Sequence, residues 1–132
     1  MLKVVLDTNI LVSALWTPAG NASAIVELIL SDKIVPCFDQ HILYEYQAVL
    51  SRPKLSFPEG QVNKLIAEII DRGLSANVFP SSFSLTDESN RKFYDIAKYF
   101  SAYLITGNIK HYPNEMFIVS PANFLEFFKT LN

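Results

Sequence analysis

Hydrophobic and polar residues are arranged along the chain in two recurring patterns. Short apolar runs predict four or five strands, of which the last is very short. These runs lie at residues 3–6, 34–37, 77–79, 103–106 and 117–119. Between them, apolar residues recur three and four positions apart, which is the period of an amphipathic helix. The pattern therefore predicts strands that alternate with helices.

Helices are predicted in the segments between the strands, and several carry signals for their ends. The helical periods cover residues 24–29, 40–51, 62–70, 93–100 and 121–128. Pro53 stops the second helix, because proline lacks a backbone donor and disfavours helical geometry in the residue before it. Gly73 is in a capping position after the third helix, and Ser120 with Pro121 is a typical helix start. This alternation favours an α/β fold, in three α/β/α layers around a mostly parallel sheet.

Composition and charge narrow the class of protein. The chain has 132 residues, half of them apolar, which predicts a single domain over residues 1–132 with a substantial core. A net charge of −2 excludes a polybasic coat, so any contact with nucleic acid depends on a local patch. The single cysteine, Cys37, lies in an apolar run and excludes both an intrachain disulfide and a cysteine-based zinc site. Neither a membrane span nor a signal peptide is recognisable, so we expect a cytoplasmic protein without membrane contact.

Two polar residues that could carry chemistry follow predicted strands. Ligands bind beyond the carboxyl ends of parallel strands, so this edge of the sheet is the first place to look. Asp7 follows the first strand, where its position fits a functional carboxylate and a helix N-cap equally well. Asn108 follows Thr106 and Gly107 at a later strand end, where a turn residue is the simpler interpretation.

Two further carboxylates lie on predicted helices. Glu45 borders the apolar stripe of its helix, where an ordinary surface residue is the simpler interpretation. Asp95 points away from the stripe of its helix, and Arg91 and Lys98 are spaced to pair with it at the surface. Three carboxylates and an asparagine would also suit Mg²⁺, which prefers oxygen ligands. Position alone leaves both interpretations open.

The order and spacing of several segments resemble the PIN domain, a family of metal-dependent ribonucleases. The matching segments are residues 4–15, 42–46, 50–54, 91–97 and 103–108. Together they extend over nearly the whole chain, although each segment alone is a weak signal. The chain is similar to the branch that contains the toxins of toxin–antitoxin pairs. The resemblance implies a parallel sheet flanked by helices, with acidic residues meeting at one end of the sheet.

The resemblance also implies a metal site and the residues that form it. Asp7, Glu45 and Asp95 match the acidic positions of the family, as catalytic residues that bind one or two Mg²⁺ or Mn²⁺ ions. Asn108 falls where many members carry a further Asp, and as a metal ligand it would supply less charge. Hydrogen bonds that support these ligands are expected from Thr8, Asn9, Ser13 and Thr106. The implied reaction is hydrolysis of RNA phosphodiester bonds by metal-activated water.

Partner contacts are expected at other residues. Candidates for contacts with the RNA backbone are Arg52, Lys54, Lys110 and His111. Tyr44 or Tyr112 could stack on an unpaired base. Four apolar residues spread too widely around the last helix for one buried face, namely Phe124, Leu125, Phe127 and Phe128. We therefore expect a second copy of the chain, as a homodimer, or an antitoxin to cover part of that surface.

Three alternatives to a nuclease differ in how well they fit the residues around Asp7. A haloacid-dehalogenase-like phosphatase requires a second Asp two residues later, where this chain has Asn9. A response-receiver module requires paired acids after the first strand, whereas Asp7 stands alone before Thr8. A PIN-fold protein without catalysis, acting as an RNA- or protein-binding module, is favoured by Asn108 and the low basic charge. The three matching carboxylates argue against it.

Overall fold

Five strands and six α-helices make up the part of the chain that the computed structural model describes, residues 1–78, 80–81 and 88–131. The strands are β1 (Lys3–Leu6), β2 (Val35–Phe38), β3 (Leu74–Ser75), β4 (Tyr103–Ile105) and β5 (Ile118–Val119). The helices are α1 (Thr8–Trp16), α2 (Asn21–Leu30), α3 (Gln40–Leu50), α4 (Glu59–Arg72), α5 (Arg91–Phe100) and α6 (Pro121–Lys129). These bounds confirm the predicted helices and four of the five predicted strands to within a few residues.

The strands form one parallel sheet in the order β3-β2-β1-β4-β5. Val4 pairs with Tyr103 and Leu6 with Ile105, which fixes the register of the two central strands. The chain first builds the sheet outward from β1 through β2 to β3, and then returns to the other side of β1 with β4. The strand order thus reverses between β1 and β4, and ligands of α/β proteins bind at such a switch point. The predicted α/β class with a mostly parallel central sheet is confirmed.

The central strands form the core because both faces of the sheet are covered. Val4, Val5 and Leu104 have no exposed surface. Helix α5 packs across β1, β2 and β4, α1 contacts β1, and both α3 and α4 contact β2. Cys37 is buried among these elements, as predicted. No helix within residues 1–78, 80–81 and 88–131 has the length and apolar character needed to cross a membrane.

The third strand lies earlier in the chain than predicted. It occupies Leu74–Ser75, where Leu74 pairs with Cys37 of β2. The prediction of a strand at residues 77–79 is wrong for Asn77 and Val78, and Phe79 lies outside the described residues. Pairing with β2 begins as soon as α4 ends, so it precedes the apolar run that suggested the strand.

Gly73 makes this early pairing possible. It ends α4, as predicted, but with an extended backbone (φ −107°) rather than the left-handed conformation common at helix ends. A Cβ at Gly73 would lie 2.4 Å from the carbonyl oxygen of Pro36 and 2.5 Å from the ring of Phe38. Only a residue without a side chain permits this approach of the chain to β2.

Candidate active site

Asp7 is buried at the carboxyl end of β1, beside the switch point of the sheet. Its backbone N–H donates to the carbonyl oxygen of Ile105 in β4 at 3.0 Å. Its side-chain Oδ2 accepts hydrogen bonds from the hydroxyls of Thr106, at 2.8 Å, and Tyr112, at 3.0 Å. Asp7 stands at the N-cap position of α1, where no capping hydrogen bond meets the usual geometric limits, although the nearby backbone N–H of Asn9 lowers the pKa of Asp7. The stronger side-chain partners of Asp7 are therefore Thr106 and Tyr112, outside α1.

The electrostatic environment of Asp7 disfavours its charge. Burial raises the pKa of Asp7 above its ordinary value, because desolvation penalises the ionised form. The hydrogen bonds from Thr106 and Tyr112 lower the pKa, and the negative charge of Glu45 raises it. Among the described residues, no lysine or arginine forms an ion pair with Asp7. A bound cation would supply the missing compensation.

Glu45 lies on α3, half-buried, with both carboxylate oxygens in contact with other residues. Oε2 accepts a hydrogen bond from the hydroxyl of Thr8, the residue that follows Asp7. Oε1 lies 2.8 Å from the ammonium nitrogen of Lys92 on α5. Glu45 is thus connected both to the end of β1 and to the helix that covers the sheet.

Two other contacts fix α3 against the same edge of the sheet. Asp39 follows β2 and caps α3, accepting a hydrogen bond from the N–H of Ile42 at 2.8 Å. The hydroxyl of Tyr46 donates to the carbonyl oxygen of Leu6, the last residue of β1, at 2.6 Å. Because Tyr46 follows Glu45 and Leu6 precedes Asp7, this bond restrains the spacing between the two segments that carry the carboxylates.

Asp95 is buried rather than exposed. Its Oδ2 accepts a hydrogen bond from the N–H of Ser81 at 3.0 Å. The two residues that were spaced to pair with Asp95 have other partners. Arg91 pairs with Glu88, and Lys98 pairs with Glu115. The interpretation of Asp95 as an exposed, ion-paired residue is therefore wrong, because α5 presents this position to the protein and not to solvent.

A cleft of about 1000 Å³ lies between α3 and α5. Glu45 and Asp95 line it together, on opposite helices. Tyr44, whose side chain is 77% exposed, and Arg52 line it as well. Asp7 is not among the described residues that line the cleft, and it connects to the cleft through Thr8 and Glu45. The cleft brings together two of the three predicted carboxylates, with a base-stacking candidate and a cation beside them.

The oxygen donors suit a hard divalent cation, but they are not gathered into a complete site. In the described part of the chain, no three Asp, Glu, His or Cys side chains are placed to share an ion. Mg²⁺ keeps several waters and often uses only one or two protein carboxylates. Asp7 and Glu45 fit that requirement. The negative charge of Glu45 raises the pKa of Asp7, and among the described residues the only lysine or arginine paired with either carboxylate is Lys92, at Glu45 Oε1.

Asn108 lies apart from the cleft. It is exposed, and its backbone N–H donates to the hydroxyl oxygen of Thr106 at 3.0 Å. With Asn9 and Ser13 it lines a separate pocket of about 550 Å³. The side-chain carbonyl of Asn9 accepts a weak hydrogen bond from the N–H of Gly107 at 3.4 Å. Asn108 is therefore not among the described residues that line the cleft with Glu45 and Asp95.

The other predicted contact residues have different environments. Lys54, Lys110 and His111 are exposed, but they are not among the described residues that line the cleft. Tyr112 is buried, so the prediction that it could stack on a base is wrong; its hydroxyl is directed to Asp7 instead.

In α6, Phe124 is fully buried and Phe127 is 37% exposed. Coverage of that exposed surface by a partner stays a prediction.

Sequence reasoning missed Asp39 and Lys92 in this region and gave Tyr112 a different role, stacking on a base. Asp39 follows β2 at the same edge as Asp7, so the rule that selected Asp7 would also have found it. Tyr112 and Lys92 gave no comparable signal. Tyr112 follows a short 3₁₀ turn at Ile109–His111, and Lys92 reaches a carboxylate on another helix.

The molecule is an α/β protein with a buried carboxylate at the switch point of its sheet and an acid-lined cleft beside it. Comparisons with known proteins identify its family. A model of the PIN domain matches residues 3–110, so the chain belongs to the PIN-domain family, as its resemblance implies. It is 34% identical over 111 residues to the uncharacterized protein MJ1680 of Methanocaldococcus jannaschii, covering 81% of this chain and 71% of that protein.

A solved structure shares the fold. It is the crystal structure of VapBC2 from Rickettsia felis bound to a DNA fragment from their promoter. The TM-score is 0.56 with 18% sequence identity, and the match covers 90% of this chain and 97% of the other. At this level of identity the similarity concerns the fold.

Proposed function

We propose that this PIN-domain protein is a metal-dependent endoribonuclease that hydrolyses RNA phosphodiester bonds in the cytoplasm, as the toxin of a toxin–antitoxin pair. One observation carries the proposal: Asp7 is a buried carboxylate at the switch point, near a second carboxylate and without an ion-paired lysine or arginine among the described residues. Burying such a charge is costly, and in functional sites the cost is commonly offset by a ligand.

Each residue has a distinct role in this proposal. Asp7 and Glu45 would hold Mg²⁺ or Mn²⁺, with waters as further ligands. Asp95 lines the cleft with Glu45 but is not placed to share an ion with both of them, so it would join the ligand set only after a local rearrangement. A bound ion lowers the pKa of its water and neutralises charge on the phosphodiester. Thr106 and Tyr112 orient Asp7 through Oδ2. Whether one or two ions bind depends on Asn108, because an amide oxygen holds a second cation less strongly than a carboxylate.

The substrate would occupy the cleft between α3 and α5. Arg52 at its wall is available to contact a phosphate, and Tyr44 exposes a ring on which an unpaired base can stack. Tyr44 belongs to α3, and Arg52 follows its C-cap and donates its backbone N–H to Val49 of α3, so both are held close to Glu45 along the chain. This arrangement favours single-stranded RNA over a duplex, whose bases are already stacked.

Hydrolysis of a labelled single-stranded RNA with Mn²⁺ or Mg²⁺ tests the proposal. The reactions include an EDTA control, Asp7→Asn, and Asp71→Asn as the matched control, since Asp71 is an exposed aspartate on α4. We expect cleavage that requires the metal and Asp7 and that is unchanged in Asp71→Asn. If RNA stays intact and calorimetry detects no metal binding, catalysis is rejected and a binding module becomes the better explanation.

A PIN-fold binding module without catalysis is the second candidate. Two observations favour it, the position of Asn108 away from the cleft and the contact of Lys92 with Glu45. A module of this kind would retain RNA in a filter-binding assay with EDTA present, and neither the wild type nor Asp7→Asn would cleave RNA. For the partner, size-exclusion chromatography over a range of concentrations tests whether the chain forms a homodimer through α6. A monomer at all concentrations would leave the antitoxin as the remaining candidate to cover Phe127.

A further inference from the structure

Lys92 is the only lysine or arginine among the described residues that forms an ion pair with one of the three predicted carboxylates. Its ammonium nitrogen lies 2.8 Å from Oε1 of Glu45. The side chains are 21% and 27% exposed, so water screens this pair less than an ordinary surface pair. The contact spans the cleft, because Lys92 belongs to α5 and Glu45 to α3.

Lys92 is held in place from its own side of the cleft. Its ammonium donates to the carbonyl oxygen of Ser89, just before α5. It also lies 5.0 Å from the centre of the Phe93 ring, which is buried and whose face attracts a cation. The ammonium is therefore positioned independently of Glu45. The carboxylate of Glu45, between Lys92 and the hydroxyl of Thr8, has both oxygens in use.

A divalent ion bound by Glu45 would disfavour this arrangement. An inner-sphere metal ligand offers a lone pair at close range, and one of the two lone pairs of Oε1 already accepts from the Lys92 ammonium. A positive ion next to that ammonium would also be repelled, in a half-buried region where screening is weak. Lys92 thus supplies, in the protein without metal, part of the positive charge that the ion would supply.

We propose that Lys92 is a positioning residue that holds Glu45 across the cleft when no ion is bound, and that the ion and the Lys92 ammonium compete for Glu45. This inference rests on the proposed function, because it takes Glu45 as a metal ligand. It predicts that binding of the ion separates Lys92 from Glu45 and leaves the bond from Thr8 to Glu45 intact. Lys92 then tunes the metal affinity of the site.

Calorimetric titration with Mn²⁺ of the full-length chain tests the competition. The proteins are the wild type, Lys92→Gln, Lys92→Arg, and Lys64→Gln, which removes an exposed lysine on α4 and changes the net charge equally. We expect Lys92→Gln to bind Mn²⁺ about five- to tenfold more tightly, as loss of a half-buried ion pair implies. Lys92→Arg should remain close to the wild type, because it keeps the charge, and Lys64→Gln should be unchanged.

Thermal unfolding gives a second readout that does not depend on activity. Without metal, Lys92→Gln should unfold at a lower temperature than the wild type, because Glu45 loses its partner. Saturating Mn²⁺ should narrow this difference, since tighter binding stabilises the variant more. In a Glu45→Gln background, Lys92→Gln should no longer change the affinity for Mn²⁺, because the group for which the two cations compete is absent.

The outcomes separate this inference from the proposed function. Equal or weaker Mn²⁺ binding by Lys92→Gln, with the wild type still binding metal through Asp7, overturns the role of Lys92 alone. Tighter Mn²⁺ binding by Lys92→Gln, with RNA left intact by the wild type, supports the competition and counts against cleavage of that RNA alone. Binding by Lys92→Gln but not by the wild type supports the competition in its strongest form. Absence of Mn²⁺ binding by every variant overturns both.

Discussion

Replacement of Tyr46 by phenylalanine tests how α3 is fixed to the end of β1. The Tyr46 side chain is 2% exposed, and its hydroxyl donates to the carbonyl oxygen of Leu6 at 2.6 Å. Tyr46→Phe removes the donor and leaves the ring, so the apolar packing is almost unchanged. The carbonyl of Leu6 loses a partner in a dry environment, and leaving such a group unsatisfied costs about 1–3 kcal/mol.

The assay is urea-induced unfolding, followed by circular dichroism, of Tyr46→Phe and of Tyr44→Phe. The second variant removes the same atom from the same helix, but from a side chain that is 77% exposed. We expect the free energy of unfolding to fall by about 1–3 kcal/mol in Tyr46→Phe. In Tyr44→Phe we expect a change within about 0.5 kcal/mol, as for most surface substitutions. Equal urea midpoints for the two variants would refute this reasoning.

The same bond should affect the site. Tyr46 follows Glu45, and Leu6 precedes Asp7, so loss of the bond removes one restraint on the spacing of the two carboxylates. Weaker Mn²⁺ binding by Tyr46→Phe than by Tyr44→Phe would show that the restraint matters to the metal. An unchanged affinity, together with lost stability, would show that the bond serves the fold alone.

Two other predictions concern the fold. Gly73→Ala places a Cβ 2.4 Å from the carbonyl oxygen of Pro36 and should lower the free energy of unfolding by about 2 kcal/mol or more. In the control, Gly60→Ala, the new Cβ meets nothing within 4 Å, so the urea midpoint should be unchanged or higher. Burial raises the pKa of Cys37 from 9.0 to about 11, because desolvation penalises the thiolate. The buried neutral thiol therefore stabilises the folded state fully below pH 9, and this stabilisation is lost as the pH rises toward 11. The melting temperature of Cys37→Ala should therefore fall less than that of the wild type over this range, and a parallel fall would contradict the burial argument.

Sequence periodicity predicted most of the fold because the central elements are long enough to show it. The parallel sheet followed from the alternation of strands and helices, since each parallel connection requires a crossover. The position of β3 could not be predicted in this way. β5 is equally short but has an apolar run, whereas Leu74–Ser75 is exposed, and its place is decided by the close approach of Gly73 to β2.

The sequence indicated which residues could form the candidate site, but not the contacts between them. Asp7 stood out because it follows a strand, and the structure places it at the switch point. The burial of Asp95 was not predicted, because the spacing of charges along a helix does not reveal which neighbour covers it. The contact of Lys92 with Glu45 joins two helices that are far apart in the sequence, and no local pattern carries that information.

The hydrogen bonds around Asp7 also have a consequence for when the site forms during synthesis. The donors Thr106 and Tyr112 lie 99 and 105 positions after the carboxylate that they hold. A growing chain therefore contains Asp7 and Glu45 long before it contains β4 and the hydroxyls of Thr106 and Tyr112 that orient Asp7. Contacts over such long separations form only after the intervening loop has closed. We expect nascent and prematurely ended chains to carry the acids without the assembled site, so that a cell making this protein meets its activity only when a nearly complete chain has folded.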